Sequence, residues 1–428
     1  MLLSFNWLPF LTLLYMSEIR KFIDECRIGL DAEDVKNGSM PFPGLSSDVG
    51  YRFQVVSSDE TIEKITKADQ DRILQKASPA EQFCEMLDLI EKKVKILCEK
   101  DHPLDYIFIV LEESTYERLR VAETADPFSG KDTVQRNFRR ALKARLMKYK
   151  KPTQIIREST VSKERDERAM QDLATRAWNI FTAMYYKVGG LPWGLADIEP
   201  ATCFIGISFF RPYGEPNYIR ASIALAFNEY GDGLVLRGQK FEWNDELGKS
   251  PHLSETLAQQ LVEDVLLRYQ TEGRQLPRRV VIHKSSRFEL EEQEGFKKAL
   301  SRIPEYDFVT VGTTGNFRVL RSGRYPPLRG TVLSTGNIHI LYTTGYIPEL
   351  GKYPHGHVPM PLRIADHYGD STKERLLKEL FMLTKMNWNT ADVDGAWPIT
   401  LQFARAVGDI LKEMPDDQIP ESKYVYYI

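Results

Sequence analysis

Cysteine is scarce in this chain. The four present, Cys26, Cys84, Cys98 and Cys203, lie far apart, which excludes a disulfide framework and any closed zinc spacing built on them. Three of them sit in apolar periodic segments, the pattern of reduced, buried thiols in a cytoplasmic protein. Repeats and low-complexity tracts are absent, and a composition of 42% hydrophobic and 27% charged residues excludes a disordered chain. No apolar run is long enough to span a bilayer, so no membrane partner is expected. The most apolar stretch, residues 1–16, is short and interrupted by Pro9. It also lacks the basic start and small-residue cleavage site of a secretory signal. Two readings of it stay open: an apolar arm packed on the body or on a partner, or an upstream start with Met16 as the natural one. The net charge of −3 excludes a uniformly basic surface, so any basic face must be local.

What is present reads as two domains, the expectation for 428 residues. Residues 1–50 read as an N-terminal arm and irregular segment, with turn clusters at 37–39 and 41–44. A strand–helix rhythm starts at Tyr51. It comprises a strand at 51–57, a helix at 80–99 with Phe83, Leu87, Ile90, Val94 and Leu97 on one stripe, and a buried parallel strand at 106–111. A helix at 133–151, a short strand at 152–156 and a long helix at 166–188 follow. Such alternation predicts a Rossmann-like domain over 51–190, ended by Gly189-Gly190-Leu191-Pro192. Residues 191–428 begin with three strands at 203–211, 218–230 and 233–243, the last two joined by a turn at 231–233. A helix at 254–269 with Ser254 as N-cap, a strand at 279–283, a helix at 290–303 and a strand at 307–311 come next. A β-rich stretch to 346 and helices at 371–386 and 399–414 complete the order of an RNase H-like fold. The predicted fold class is α/β, a Rossmann-like domain followed by an RNase H-like one.

Acidic residues are missing from one segment. Residues 133–157 hold nine Lys and Arg and no Asp or Glu. Within it Arg139 and Lys143, four apart, project from one helix face. Gln154 lies past the next turn, and Lys187 ends the following helix. Two cations, an amide and a third cation brought together would bind a terminal phosphate through charge-assisted bonds. A solvated basic face is the competing reading, and composition alone favours it.

The set Arg139-xxx-Lys143, Pro152-Thr153-Gln154 and Tyr185-Tyr186-Lys187-Val188-Gly189-Gly190-Leu191-Pro192-Trp193 resembles the MID-domain pocket of Argonautes, where such residues hold the guide 5′-phosphate. Phe204-Ile205-Gly206-Ile207, Val280-Val281-Ile282-His283-Lys284, the segment 383–388 and Trp397-Pro398-Ile399-Thr400-Leu401-Gln402-Phe403-Ala404 resemble parts of the PIWI domain. The resemblance covers residues 50–428 and leaves no room for N or PAZ domains, which points to a short prokaryotic Argonaute. It implies a MID domain over 51–190 and a PIWI domain over 191–428. It implies guide binding by Arg139, Lys143, Gln154 and Lys187, with Mg²⁺ at the phosphate held by the terminal carboxylate of Ile428, or else a plainly packed tail there. Arg139 departs from the commoner residues at its position, which leaves the 5′-nucleotide preference open. The implied partners are a 5′-phosphorylated guide RNA, a complementary single-stranded DNA target, and an effector carrying an APAZ segment fused to a TIR, sirtuin-like or nuclease domain. The implied setting is cytoplasmic defence against plasmids or phage.

RNase H-type cleavage needs clustered carboxylates holding two metal ions. At the family's carboxylate positions this chain has Ser208 and Ser285, and at the last metal-ligand position Arg405. A hydroxyl is a poor substitute for a carboxylate on a hard cation, and Arg405 repels one. Nuclease activity is therefore not expected. The alternative is a guide-dependent endonuclease with an atypical metal site, drawing on Glu263 or Asp264 from the 254–269 helix. His355, His357, Asp366 and His367, read as one Gly/Pro-rich loop, fit no closed zinc site. His283 reads as a packed strand residue.

Overall fold

Two sheets organise the chain. The computed structural model describes all residues except 1–2, 5–9, 13–15, 34–38, 46–50, 52, 56–58, 131, 163–170, 227–232, 244–245, 249, 272–274, 315–316, 351–352, 354–357 and 392–393. In the N-terminal domain the elements are β1 (Leu3–Ser4), β2 (Phe10–Thr12), α1 (Met16–Ile28), β3 (Phe53–Gln54), β4 (Ile62–Lys64), α2 (Lys67–Leu74), α3 (Pro79–Glu99), β5 (Ile107–Leu111), α4 (Glu113–Leu119), β6 (Val121–Ala125), β7 (Thr133–Asn137), α5 (Phe138–Leu146), β8 (Thr153–Arg157), α6 (Glu158–Val161) and α7 (Leu173–Lys187). Strands β4, β2, β5 and β8 form a parallel sheet in that order.

Why β5 lies at the centre is plain from its side chains. Ile107, Ile109 and Leu111 pack with Phe83, Leu87 and Phe138 of α3 and α5. The preceding Tyr106 together with Phe108 and Val110 packs with Phe22, Phe181 and Met184 of α1 and α7. A strand covered on both faces must be apolar throughout, which explains the unbroken run. Helix α3 starts where expected, with the Ser78 hydroxyl accepting from the Glu81 N–H and Pro79 in the first turn.

Three expectations are corrected here. Residues 1–50, expected to be irregular, carry α1 and supply β2, an inner strand of the sheet paired with both β4 and β5. The helix expected over 133–151 begins only at Phe138. β-Branched Thr133 and Val134 lie in β7, which pairs with β6, and the Asn137 side chain accepts from the Arg140 N–H as an N-cap. The long helix begins at Leu173, capped by Asp172, rather than at 166; residues 163–170 fall outside the described residues.

The C-terminal domain comprises β9 (Thr202–Phe210), β10 (Tyr218–Ala226), β11 (Leu234–Glu242), α8 (Glu255–Thr271), β12 (Arg279–Lys284), α9 (Leu290–Ala299), β13 (Glu305–Thr313), β14 (Val332–Thr335), β15 (Ile338–Leu341), β16 (Leu362–Gly369), α10 (Lys373–Leu383) and α11 (Ile399–Leu411). Its sheet has the order β11-β10-β9-β12-β13-β16-β15-β14. β9 to β11 are antiparallel, whereas β9, β12 and β13 run parallel. That is the predicted RNase H-like order, lengthened by β14 to β16. Helices α8 and α9 cover one face, and α10 and α11 cover the other. Helix α11 crosses β9 closely because Gly206 has no side chain; a Cβ there would overlap the Thr400 carbonyl oxygen. The expected turn at 231–233 lies mostly outside the described residues, as do His355 and His357. Asp366 and His367 are on β16 rather than in a loop.

The domains are joined by charge as well as by packing. Arg136 of β7 is paired with Glu413 at 2.7 Å, and both side chains are buried. The Tyr213 hydroxyl donates to the second Glu413 oxygen at 3.1 Å. Arg140 reaches Asp409 of α11 at 2.7 Å. Tyr186 of α7 packs on Trp388, ring centres 4.7 Å apart.

Candidate anion-binding site

The basic segment separates into two populations. Arg136 and Arg140 pair with Glu413 and Asp409. Arg145 and Lys148 face Asp88 and Glu91, Lys150 faces Glu421, and Arg157 faces Glu113 and Glu117. Lys151 donates to the Leu104 carbonyl at 2.7 Å. Only Arg139 and Lys143 remain, and it is to these that the fold brings Lys187.

Arg139 and Lys143 lie one turn apart on α5, directly after the Asn137 cap. Lys143 is 3% exposed, and its ammonium donates to the Thr153 carbonyl at 2.5 Å and to the main-chain oxygen of Ile428. Lys187, the last residue of α7, is also 3% exposed. It donates to the same Thr153 carbonyl at 3.3 Å and to Gln154 Oε1 at 2.6 Å. Its ammonium sits 5.7 Å from the centre of the Tyr106 ring. The Arg139 guanidinium has no hydrogen-bond or ion-pair partner among the described residues. The set predicted from the sequence (Arg139, Lys143, Gln154, Lys187 and Ile428) is therefore assembled in one place.

Its electrostatics are one-sided. No carboxylate side chain among the described residues pairs with any of the three cations. Burial depresses the Lys143 ammonium far below the ordinary lysine range, and the charges of Lys187 and Arg139 push it the same way. Lys187 is depressed by burial and by Arg139. Arg139 is lowered by burial, partly countered by Tyr424 and Tyr116. Buried charges are normally paired, because unpaired burial costs several kcal/mol per ion, on the order of magnitude for real proteins. Three adjacent cations with no paired carboxylate side chain among the described residues form a site suited to a dianion.

Three neighbours were missed in the sequence. The Thr153 carbonyl unites the two lysines, and no side-chain pattern could announce it. The Tyr106 hydroxyl, fully buried beside the cluster, has no hydrogen-bond partner among the described residues. Tyr424 stacks on Phe403 with ring centres 3.8 Å apart and lies close enough to Arg139 to influence its charge. The aromatic C-terminal sequence was the only hint of it.

Ser208, Ser285 and Arg405 lie on or just beyond adjoining elements, β9, β12 and α11. Ser208 pairs across strands with Ser222, whose hydroxyl donates to the Ala404 carbonyl at 2.8 Å, next to Arg405. Lys284 is level with Ile207 at the end of the parallel pair, and Ser285 follows directly after β12. Arg405 stacks its guanidinium over Trp397 at 4.8 Å. Glu263 and Asp264 lie on the exposed face of α8 instead, and Glu263 accepts from Gln259. Asp366 is 3.5 Å from Arg287, and His367 Nε2 is 2.7 Å from Asp307. Among the described residues no three His, Cys, Asp or Glu side chains gather as a metal site. His283 is buried against Thr400, and burial lowers its pKa to about 3. Cys26 and Cys203 are buried, whereas Cys84 and Cys98 are half-buried, and none of the four is in a disulfide. No helix among the described residues is long and apolar enough to cross a membrane.

No protein-family model and no curated protein sequence matches the chain. Solved structures do. The Clostridium butyricum Argonaute bound to a guide DNA and a 19-mer target DNA aligns with a TM-score of 0.63 at 16% identity, over 96% of this chain and 48% of that one. The A. aeolicus Argonaute aligns at 0.56 and 17%, over 98% and 49%. Drosophila Piwi aligns at 0.59 and 15%, over 99% and 50%. This chain thus spans about half the length of those proteins and has the MID–PIWI fold of Argonautes.

Proposed function

We propose that the chain binds a guide strand through its 5′-phosphate and uses that guide to recognise complementary nucleic acid without cutting it. The carrying observation is the convergence of the buried Lys143 and Lys187 with the partly buried Arg139 and Gln154, three cations and an amide with no carboxylate side chain paired to them among the described residues. Lys143 and Lys187 would turn from the Thr153 carbonyl to the phosphate oxygens, with Arg139 adding a planar fork or stacking on the first base. Similarity to an Argonaute bound to guide and target DNA supports nucleic-acid partners of this kind. Target sequence would be read by base pairing, with the protein holding the duplex by its backbone.

The guide is proposed to be RNA and the target single-stranded DNA. The absence of cleavage is supported by Ser208, Ser285 and Arg405, which bring two hydroxyls and a cation where metal-ion catalysis requires carboxylates. Target recognition would be reported to an APAZ-containing effector of the TIR, sirtuin-like or nuclease kind, in cytoplasmic defence. A magnesium ion beside the guide phosphate would find Gln154 Oε1 and the Ile428 oxygen already accepting from ammonium groups. This donor set fits the anion better than the metal.

Fluorescence polarisation with otherwise identical 5′-phosphate and 5′-hydroxyl guides tests the pocket. The phosphate should tighten binding in the parent protein and lose its advantage in Lys143→Ala/Lys187→Ala. Equal affinities in the parent would sink the pocket. Incubation of the loaded protein with labelled complementary DNA and Mg²⁺ or Mn²⁺ should yield no product, and a guide-dependent product would sink the non-cleaving reading.

A further inference from the structure

A second cavity, of about 420 Å³, lies beside the phosphate site and shares Lys187 with it. Its wall is formed by the loop before β8, the Gly189-Gly190 turn after α7, and the C-terminal residues 423–426. Four lysines line it, Lys150, Lys151, Lys187 and Lys423, against one carboxylate, Asp105. Little of this charge is neutralised. Lys150 meets Glu421 only at 3.6 Å across an exposed surface, and Lys151 is held by a carbonyl. Lys423 is exposed and has no ion pair among the described residues. Lys150 itself is in the left-handed conformation, with φ of 53°. A non-glycine residue seldom adopts it, so this turn of the wall is tightly constrained.

We propose that this cavity receives the β- and γ-phosphates of a guide carrying a 5′-triphosphate, the end left by transcription initiation. The proposal rests on the phosphate-site reading above and extends it. The α-phosphate would occupy the Arg139–Lys143–Gln154–Lys187 set. Lys187 lies on the boundary, and Lys150 and Lys423 would meet the added negative charge. A pocket for a monophosphate alone needs no cationic chamber behind it. The chain would then load unprocessed transcripts as well as trimmed ones.

Guides of one sequence with 5′-triphosphate, 5′-monophosphate and 5′-hydroxyl ends are titrated against the full chain and against Lys150→Glu/Lys423→Glu. The triphosphate guide is expected to bind the parent at least as tightly as the monophosphate guide. The charge reversals should weaken the triphosphate guide by about tenfold or more while changing the monophosphate guide by less than about threefold. Weaker binding of the triphosphate guide than of the monophosphate guide in the parent overturns the proposal, as does an equal loss for both guides in the variant. Loss of monophosphate preference is read separately in Lys143→Ala/Lys187→Ala, so failure of the phosphate site is distinguishable from failure of the cavity. Inorganic triphosphate is titrated into protein already loaded with the monophosphate guide. Binding there that disappears in the reversal variant would assign the cavity to a free polyphosphate and overturn its assignment to the guide.

Discussion

Replacing Lys143 by methionine should move stability and binding in opposite directions. In the free protein Lys143 is a buried ammonium next to two other cations, with the Thr153 carbonyl and the Ile428 main-chain oxygen as its hydrogen-bond partners. Exchanging buried charge for well-packed apolar volume is worth about 1–4 kcal/mol in favourable cases. Stranding the Ile428 oxygen offsets about 1 kcal/mol of this. A net gain of about 1–2 kcal/mol corresponds to a rise of roughly 2–8 °C in Tm for a domain of this size. Binding goes the other way, because a hydrogen bond to a charged group contributes about 1.5–3 kcal/mol, or roughly 10- to 150-fold in Kd. A 5′-hydroxyl guide should hardly change. Linkage adds a pH signature. The folded Lys143 loses its proton at lower pH than the unfolded one, so between its depressed pKa and the ordinary lysine range the unfolded state holds more protons. Stability of the parent should therefore rise with pH across that window, and the slope should flatten in the variant. Thermal melts of free protein across that pH range, with guide titrations in parallel, check both effects. A variant that melts lower and still prefers the phosphorylated guide would refute the reading of Lys143 as an anion ligand.

Glu413→Ala leaves Arg136 buried and unpaired and should cost about 3–5 kcal/mol by urea denaturation, whereas Arg136→Met/Glu413→Leu should cost far less. Gly206→Ala drives a methyl group into the Thr400 carbonyl and should destabilise the C-terminal domain by about 1–3 kcal/mol, read from the same denaturation curves. His283 is held neutral with a pKa of about 3, so below the ordinary histidine range the unfolded state takes up a proton that the folded state refuses. Stability should fall by up to about 1.4 kcal/mol per pH unit from that range down to about pH 3, and His283→Phe should remove this component of the slope.

Elements built from local signals were legible in the sequence. The apolar run of β5, the stripe and Ser78-Pro79 start of α3, and the three opening strands of the second domain needed no distant partner to be seen. The strand β7 was hidden because its one basic residue, Arg136, runs on into the basic residues of α5, while its partner Glu413 lies 277 residues away in sequence. Strand β16 was hidden by the Gly- and Pro-rich segment before it. The cations of the anion site were visible as residues, but not their isolation. Only the fold reveals that most of the basic segment is spent on ion pairs and that Arg139, Lys143 and Lys187 are left over. Tyr424 joined the site through stacking on Phe403, a contact no spacing encodes.

The inner position of β2 constrains how the protein is made. Residues 10–12 are synthesised well before their sheet partners β4 and β5, which begin about 50 and 100 residues later. The parallel sheet cannot close until β5 has been synthesised, so β2 waits for its second partner. A gene product initiated at Met16 would reach that moment with no strand to insert, leaving β4 and β5 facing an empty slot. An affinity tag at the N-terminus needs a spacer long enough to leave Phe10–Thr12 free to dock.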